Sequence, residues 1–215
     1  LISNNLGEVY RYRGELAEAQ ACYEQSLQTW HSLGSLYGEA FLLMNLAAVA
    51  IKQQAWLNAI EQLEESQRLC KRIDAEDFAA EAYRYLAEAH LGRGLELGKQ
   101  GHDQIARALE YAQHSLRLAK KQEMKLEEGA TRRVLGCIYR VRGEKGAAEQ
   151  QLKKSLAMLE ALDSQYQIGL TWVDLAVLYR ELGRPLDAQW NIERAIALFG
   201  HLGARLDLER TRQLD

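Results

Sequence analysis

The same pattern of residues recurs five times along the chain, and this repetition constrains the fold more than any other feature of the sequence. In each copy an alanine stands seven positions before a serine or a second alanine. The alanines are Ala19, Ala59, Ala108, Ala148 and Ala188, and their partners are Ser26, Ser66, Ser115, Ser155 and Ala195. Successive copies are 40 residues apart, except for a spacing of 49 between the second and the third. This period indicates an array of similar units that must stack, because one such unit cannot bury its own apolar face.

Each unit is predicted to consist of two helices joined by a tight turn. In the first unit Leu6 and Tyr10 are four residues apart, and so are Tyr23 and Leu27, which places each pair on one helix face. Gly14 lies between the two segments, where a positive φ angle suits glycine. Small residues beside these pairs let the two helices approach closely. The composition agrees, because Ala, Leu, Glu, Gln and Arg dominate and there is one proline.

Helix boundaries recur at matching places in the later units. Gly143 and Gly183 occupy the position of the first interhelical glycine, and Pro185 suits the first turn of the helix that follows. Ser35 and Ser164 are predicted to cap the helices that begin after them.

At these positions the chain resembles the tetratricopeptide repeat family, whose pattern is Trp-x2-Leu-Gly-x2-Tyr, then Ala-x3-Phe, then Pro. The fifth unit matches this pattern at Trp172, Leu175, Ala176, Tyr179, Ala188 and Ile192. The first unit matches it at Leu6, Gly7, Tyr10, Ala19 and Tyr23. The closing proline is absent, and the period is about 40 residues instead of 34. The chain therefore resembles the long-helix subgroup found in kinesin light chains, spindle-orientation adaptors, and sensor regions of bacterial signal-transduction ATPases and transcription activators.

The resemblance implies an all-α fold, a right-handed superhelical solenoid of about five helix-turn-helix repeats that forms a single domain over residues 1–215. The repeats are expected at approximately residues 1–34, 35–74, 75–123, 124–163 and 164–203. Residues 204–215 would form a cap or the first helix of a sixth repeat. Because the sequence begins with Leu1 inside a predicted helix, we expect the chain to be a fragment of a larger protein.

The longer spacing in the third unit comes from extra residues between Gly94 and Ala108, in the stretch GLELGKQGHDQ. The other units lack this glycine-rich stretch, and insertions in repeat arrays map to loops. We therefore predict a mobile loop with extra helical turns at its edges. On this interpretation, deletion of residues 95–104 would leave thermal stability little changed.

Charge and composition argue against several other classes of protein. The net charge is −3, with 27 basic and 30 acidic residues spread along the chain, so no basic block predicts nucleic-acid binding. The longest apolar run, residues 40–51, is too short to span a bilayer. The three cysteines are far apart and favour a reducing compartment. We therefore expect a cytoplasmic protein that binds neither a membrane nor nucleic acid.

No residue pattern predicts an enzyme, a metal site or a cofactor site. His102 and Asp103 form the most enzyme-like pair, but no nucleophile stands at a recognisable spacing from them. The histidines and cysteines lack the spacings of metal ligands. The glycines near Lys99 follow a predicted helix, whereas a phosphate-binding loop follows a strand.

In the family that the chain resembles, the first helices of the repeats line a concave groove that binds ligands. Carried over by position, the groove residues are Asn5, Glu8, Arg11, Tyr12, Phe41, Met44, Asn45, Ile51, Arg84, Tyr85, Arg133, Arg140, Asp174 and Arg180. Asn5 and Asn45 match asparagines that hold a peptide backbone in the long-repeat subgroup, since an amide both donates and accepts hydrogen bonds. The arginines suit an acidic segment; alternatively, they pair internally with Glu88, Glu181 and Asp174.

One of the predicted first helices is apolar nearly all round. Phe41, Met44, Ala48 and Ile51 form a second apolar stripe, in addition to the one needed for packing. The stripe is either a pocket for a partner's apolar side chains, with Met44 adapting to their shape, or it is buried against the adjacent repeat. In the first case Met44→Glu would abolish binding, and in the second it would unfold the protein.

These features together predict an interaction scaffold that binds a peptide or protein segment with acidic and apolar side chains, as part of a multidomain regulator. The alternative is a structural role. The array would then mediate self-assembly, or act as the intramolecular regulatory domain of a signal-transduction ATPase or transcription activator. The size of the protein without a partner distinguishes a binding module from an assembly device.

Overall fold

The computed structural model describes residues 2–214, with side chains from Asn4 to Leu214, and every regular element in this range is helical. Leu1 and Asp215 lie outside the described residues. The helices are α1 (Ile2–Arg13), α2 (Leu16–Ser32), α3 (Leu36–Lys52), α4 (Trp56–Ile73), α5 (Ala79–Leu97), α6 (His102–Lys121), α7 (Lys125–Val141), α8 (Lys145–Ala161), α9 (Gln165–Glu181), α10 (Pro185–Leu202) and α11 (Arg205–Arg212). The predicted all-α class is confirmed. Among these described helices, none combines the length and apolar character needed to cross a lipid bilayer.

The chain divides into two compact units between Leu118 and Ala119, within α6. In the first unit α1 packs on α2 and α3 on α4, and each of these pairs packs on the helix that follows it. In the second unit α7 packs on α8 and α9 on α10, while α8 also packs on α9 and α10 on α11. Successive helices from α1 to α5, and from α7 to α11, are thus neighbours in space, as expected for stacked helical hairpins.

Glycines allow the two helices of a pair to approach closely. A Cβ atom on Gly7 would lie 2.8 Å from the ring of Tyr23, and one on Gly136 would lie 2.5 Å from the side chain of Leu152. Both distances are shorter than side chains tolerate, so a larger residue would push the paired helices apart. Tyr23 and Leu152 are fully buried and fill the space that each glycine leaves.

The repeated serine ties the second helix of a pair to the first. Ser66 Oγ donates a hydrogen bond to the carbonyl oxygen of Ala40 at 2.7 Å, and Ser155 Oγ donates one to that of Gly129 at 2.8 Å. Both serines are fully buried. The hydrogen bond satisfies a hydroxyl group that would otherwise be costly to bury. This bond explains why serine recurs at this position of the repeat.

The interhelical turns follow the predicted glycines. Gly14, Gly143 and Gly183 have φ angles of +82°, +81° and +70°, and Pro185 is the first residue of α10. In the second helix pair the same position is occupied by Gln54, whose φ angle is +60°. An L side chain adopts this conformation at a cost, so Gln54 is a local weak point.

The two predicted serine caps differ in the structure. Ser35 Oγ accepts a hydrogen bond from the backbone N–H of Gly38 at 3.3 Å, as predicted for a cap of α3. Ser164 stands immediately before α9, but its side chain makes no capping hydrogen bond.

The mobile loop predicted in the third unit is wrong, whereas the extra helical turns predicted at its edges are present. Helix α5 continues to Leu97, a 3-10 turn covers Gly98–Gln100, and α6 begins at His102. Gly94 and Gly101 are both buried, and a Cβ atom on Gly101 would collide with the backbone of Gly94. These glycines thus permit a close backbone approach, which explains their presence without flexibility.

Candidate functional site

Hydrogen bonds join the first helices of successive pairs side by side. Each bond links a residue to one that stands 41 positions later, which is the repeat period plus one residue. The pairs are Asn4 with Asn45, Arg133 with Asp174, Arg140 with Glu181, and Tyr166 with Asp207. We call the surface formed by the predicted groove residues of α1, α3 and α5 the first-helix face of unit 1. The corresponding surface of α7 and α9 is the first-helix face of unit 2.

The arginines of the first-helix face of unit 2 do not form a basic binding surface. Arg133 donates to Asp174 Oδ2 at 3.0 Å, and Arg140 donates to Glu181 Oε1 at 2.6 Å. The prediction of an acid-binding arginine stretch is therefore wrong for these two residues, and the alternative of internal pairing holds. Arg180 is exposed, and within the described residues it has neither an ion pair nor a hydrogen bond through its side chain.

Arg84 and Tyr85 of α5 are buried, contrary to their prediction as groove residues. Arg84 is 4% exposed and lies between Glu81 and Glu88, with N–O distances of 3.4 and 3.0 Å. Its guanidinium also stacks on the ring of Tyr85, at 4.1 Å from the ring centre. The two carboxylates offset the cost of removing a guanidinium from water, and this pairing leaves Arg84 inaccessible to a partner.

The apolar stripe on α3 is core, and the predicted pocket at Met44 does not exist. Met44 is 1% exposed and Ala48 is 3% exposed, in a hydrophobic cluster that includes Tyr85. Phe41 and Ile51 pack against the same cluster and are partly buried. The interpretation that the stripe is buried against the adjacent repeat is therefore correct, because the cluster includes residues of α5, the first helix of that repeat.

On α1 the predicted residues divide into one buried arginine and three exposed side chains. Arg11 is 8% exposed, with its guanidinium 4.8 Å from the ring centre of Tyr12 and 3.7 Å from a carboxylate oxygen of Glu8. Asn5, Glu8 and Tyr12 are exposed. Burial raises the pKa of Tyr85 well above its usual value, and the neighbouring positive charge of Arg11 opposes this shift. Tyr85 therefore stays neutral beside Arg11.

An open apolar pocket lies next to the pair of asparagines on the first-helix face of unit 1. Its volume is about 350 Å³ and its lining residues are Asn4, Trp30, Tyr37, Gly38, Phe41 and Leu42. Tyr37 is 45% exposed. The ring centres of Tyr37 and Phe41 lie 5.6 and 5.7 Å from that of Phe78, each in an edge-to-face arrangement. Asn45 Nδ2 donates to Asn4 Oδ1 at 3.0 Å at the rim.

Sequence reasoning found Phe41 and, at the rim, Asn45, but missed the walls formed by Trp30 and Tyr37. Trp30 lies near the end of α2, whereas the predicted groove residues all come from the first helices of the repeats. Gly38 was the available signal, since a Cβ atom there would lie 2.6 Å from Cγ of Trp30. A glycine inside an apolar helix indicates that a bulky side chain packs on its backbone, and here that side chain forms one wall.

A second cavity of about 180 Å³ lies among α4, α5 and α6. Its walls include Cys70, Tyr83 and His114, and the imidazole of His114 is 4.2 Å from the ring of Tyr83. Burial raises the pKa of the Cys70 thiol and lowers that of His114, so the thiol is protonated and the imidazole neutral at pH 7. Within the described residues, no group of three His, Cys, Asp or Glu side chains is placed to hold a metal ion.

Comparison with known proteins finds a repeat-family match at the start of the chain and solved structures with the same fold. Residues 2–33 match the family model of the tetratricopeptide repeat. No curated protein sequence is significantly similar to the chain. Solved structures with the same fold include BtubC (BKLC) from P. vanneervenii, at 14% identity and a TM-score of 0.58, covering 95% of this chain and 90% of that chain. A predicted kinesin light chain from Podosopora anserina with nearly identical TPR-like repeats is also similar, at 19% identity and a TM-score of 0.57.

A second crystal structure of the Podosopora anserina protein, in a variant form, has a TM-score of 0.60, again at 19% identity. Both forms cover 91% of this chain and 92% of their own length. The fold of this chain is thus that of tetratricopeptide repeat arrays similar to kinesin light chain, as the residue pattern predicted. Folds of this kind generally mediate interactions between proteins.

Proposed function

We propose that this chain is a protein-binding module that holds a peptide segment in the pocket beside Asn4 and Asn45. The fold supports the general class, since repeat arrays of this kind present extended binding surfaces. The apolar pocket on the first-helix face of unit 1 is the observation that carries the specific proposal. It combines an open apolar volume of about 350 Å³ with a polar rim, which is the usual composition of a binding site.

The rim is suited to a peptide main chain. Asn45 and Asn4 bond to each other through one donor and one acceptor, which leaves the amide oxygen of Asn45 and the amide N–H groups of Asn4 for a ligand. These groups can bond a backbone N–H and a backbone carbonyl, whatever the sequence of the segment. The pocket then selects an aliphatic or aromatic side chain, because its walls are formed by Trp30, Tyr37 and Phe41.

The other predicted residues have different places in this proposal. Asn5, Glu8 and Tyr12 are exposed on α1 and would contact the segment beyond the pocket. Met44, Arg84 and Tyr85 support the face from within and are not contacts.

Selection of random dodecapeptides displayed on phage against the intact chain tests the proposal. We expect peptides with a large apolar residue, and we expect Tyr37→Glu and Asn45→Ala each to weaken their dissociation constant at least tenfold. Leu57→Glu is the matched control, since Leu57 is exposed on α4, away from the pocket. If the recovered peptides bind the Tyr37→Glu protein as tightly as the parent, the pocket is not the site.

The wider context is part of the same proposal: a cytoplasmic, non-catalytic scaffold within a multidomain regulator, with residues 1–215 as one array. The rival role is self-assembly or intramolecular regulation. Light scattering coupled to gel filtration separates the two, because a binding module is monomeric without its partner and an assembly device is not.

A further inference from the structure

The outward side of α10 carries apolar and charged side chains that the packing of the array does not require. Leu186 is 86% exposed and Trp190 is 53% exposed, one helical turn apart. One turn further, the guanidinium of Arg194 lies 4.4 Å from the ring centre of Trp190 and 4.2 Å from that of Trp172 on α9. Arg194 thus makes a cation–π contact with each of two indole rings. We call Leu186, Trp190, Arg194 and Trp172 the α10 patch.

The repeat itself supplies a control for this patch. The residues that correspond to Trp190 in the four earlier helix pairs are Ala21, Glu61, Glu110 and Gln150, and all are exposed. The residues that correspond to Leu186 are Ala17, Leu57, Ala106 and Gly146, which are exposed as well. Several of these earlier pairs are packed against a following helix, so stacking of another pair does not cover these positions. Only the fifth pair has large apolar residues at both of them, and packing within the array does not account for that.

The charge of Arg194 is not neutralised within the described residues. No ion pair or side-chain hydrogen bond joins Arg194 to another described residue, while most other arginines of unit 2 have a carboxylate nearby. The described contacts of the guanidinium are with the two indole rings, and its N–H groups make no hydrogen bond to a described residue. Trp172 is 7% exposed, and its buried Nε1 has no hydrogen-bond partner in the described structure. Two kinds of donor in the patch therefore lack an acceptor.

We propose that the α10 patch is a second docking surface, which binds a segment of a partner protein that carries one carboxylate and an apolar side chain. A carboxylate matches the edge of a guanidinium in a bidentate arrangement. Leu186 and Trp190 then cover the apolar side chain, and eight residues of helix separate Leu186 from Arg194, which is about 12 Å along the axis.

The surroundings of the patch favour a single carboxylate over a polyanion. Asp187 and Glu193 are exposed on the same helix, where they would repel a phosphate backbone or an acidic run. Asp187 is paired with Arg184 at 2.6 Å, and Glu193 accepts a hydrogen bond from Gln189 at 3.1 Å. These interactions keep both carboxylates on the helix surface. Aromatic and arginine anchors of this kind dominate the binding energy of protein interfaces.

Peptide selection on the intact chain tests this surface independently of the pocket. Random dodecapeptides are selected on the Tyr37→Glu protein, in which the pocket is blocked, and their dissociation constants are measured by fluorescence polarisation. We expect peptides with one Asp or Glu near a Leu, Phe or Trp. Trp190→Ser and Arg194→Gln should each weaken binding at least tenfold, and so should an amide in place of the peptide carboxylate. Gln150→Ser and Lys154→Gln, at the corresponding positions of α8, should leave it unchanged.

Folding of each variant is checked by its helical circular dichroism and melting temperature. Arg194→Lys serves as a second variant that keeps the charge but loses the planar edge, and it should weaken binding severalfold. The proposal is overturned if no recovered peptide depends on Trp190 and Arg194. Recovery of basic peptides only would overturn it too, as would concentration-dependent dimerisation of the parent chain that Trp190→Ser abolishes, since a second copy would then be the occupant.

Discussion

Single side chains on the first-helix faces act mainly between neighbouring helices. Arg133 and Asp174 come from helices 41 residues apart in sequence, and both side chains are largely withdrawn from water. A guanidinium in such a place stabilises the array only while its carboxylate is present. The charged groups that were predicted to bind a ligand thus pair with each other and join neighbouring repeats.

The Arg133–Asp174 pair should show a measurable coupling. We expect Arg133→Met to lower the free energy of unfolding by about 1–2 kcal/mol, since a charged hydrogen bond is lost and Asp174 stays without it. The double variant Arg133→Met/Asp174→Leu should recover most of this loss. Urea unfolding of the four proteins measures the coupling. Strict additivity of the two single changes would contradict the structural role of the pair.

Met44 belongs to the core, and its replacement should show this. Met44→Glu places an unpaired carboxylate at a position that is 1% exposed, which costs about 3 kcal/mol or more. We expect loss of the cooperative thermal transition followed by circular dichroism. Tyr37→Glu is the control at an exposed position nearby, and it should melt close to the parent. A Met44→Glu protein with an unchanged melting temperature would show that the side chain is accessible.

At the scale of helices and turns, the same position in the repeat carries different residues with unequal strain. The first interhelical turn has Gly14 at φ +82°, and the second has Gln54 at φ +60°. Glycine adopts this region without steric cost, whereas other residues lose about 1–2 kcal/mol. The turns that contain glycine therefore serve as an internal comparison for the turn that contains Gln54.

Gln54→Gly should stabilise the protein. The relief of steric cost exceeds the entropy that glycine adds to the unfolded chain, about 0.5–1 kcal/mol, so we expect a net gain of up to about 1 kcal/mol. Gly143→Ala, the reverse change in a matching turn, should cost a similar amount. The melting temperatures of the two variants and the parent protein, measured in parallel, test both expectations. A melting temperature of Gln54→Gly below that of the parent would contradict the strain assigned to that turn.

The extra residues of the third pair should be essential for its stability. Deletion of residues 95–104 removes the end of α5, the 3-10 turn and the start of α6. It also removes Gln104, whose Oε1 lies 2.6 Å from Nδ1 of the buried His90. We expect a large fall in the melting temperature and in helical content. A replacement of Lys99 by Gly, at an exposed position of the turn, is the mild control; equal effects of both changes would argue against the packed insertion.

Over the whole molecule, the local rules of the sequence predict the helices better than they predict burial. Helix pairs and turns depend on residues that are close in sequence, such as Gly14 and Pro185, so local patterns predict them. Met44 is buried in a cluster that also contains residues of α4 and α5, such as Leu63 and Tyr85, and no periodicity within one helix shows this. The glycines at positions 94 and 101 were interpreted as flexible because a close backbone approach and a loop need the same residue type. The prediction of the pocket was incomplete because Trp30, which forms one wall, belongs to a different helix from the predicted groove residues.

Stability of the whole chain should fall as the pH is lowered below neutrality. Burial lowers the pKa of His90, against the opposing hydrogen bond of Gln104, and burial also lowers the pKa of His114. The unfolded chain therefore binds more protons than the folded chain between the folded pKa values and about pH 6.5. Unfolding is favoured as the pH decreases through this window.

Urea midpoints at pH 7.5 and pH 5 measure this effect, and the pH 5 value should be lower. His90→Asn should reduce the difference, because asparagine does not titrate. Glu149, whose pKa is lowered by the hydrogen bond from Lys153, loses its stabilising charge only in more acidic solution and does not contribute in this range. An equal midpoint at both pH values would show that the buried imidazoles are not linked to folding.

The 41-residue step of the lateral hydrogen bonds affects how such an array can arise by gene duplication. With a step equal to the period, every residue would meet its own copy, and an arginine would face an arginine. With a step one residue longer than the period, each residue instead meets the copy of the residue that follows it in sequence. Asn45 is the counterpart of Asn5, yet it bonds to Asn4, so two adjacent positions of one unit are enough to specify the hydrogen bond between that unit and its copy. Duplication of a unit that carries both residues then yields a compatible junction between the two copies, and Arg133 and Asp174 form a different polar pair at the same register.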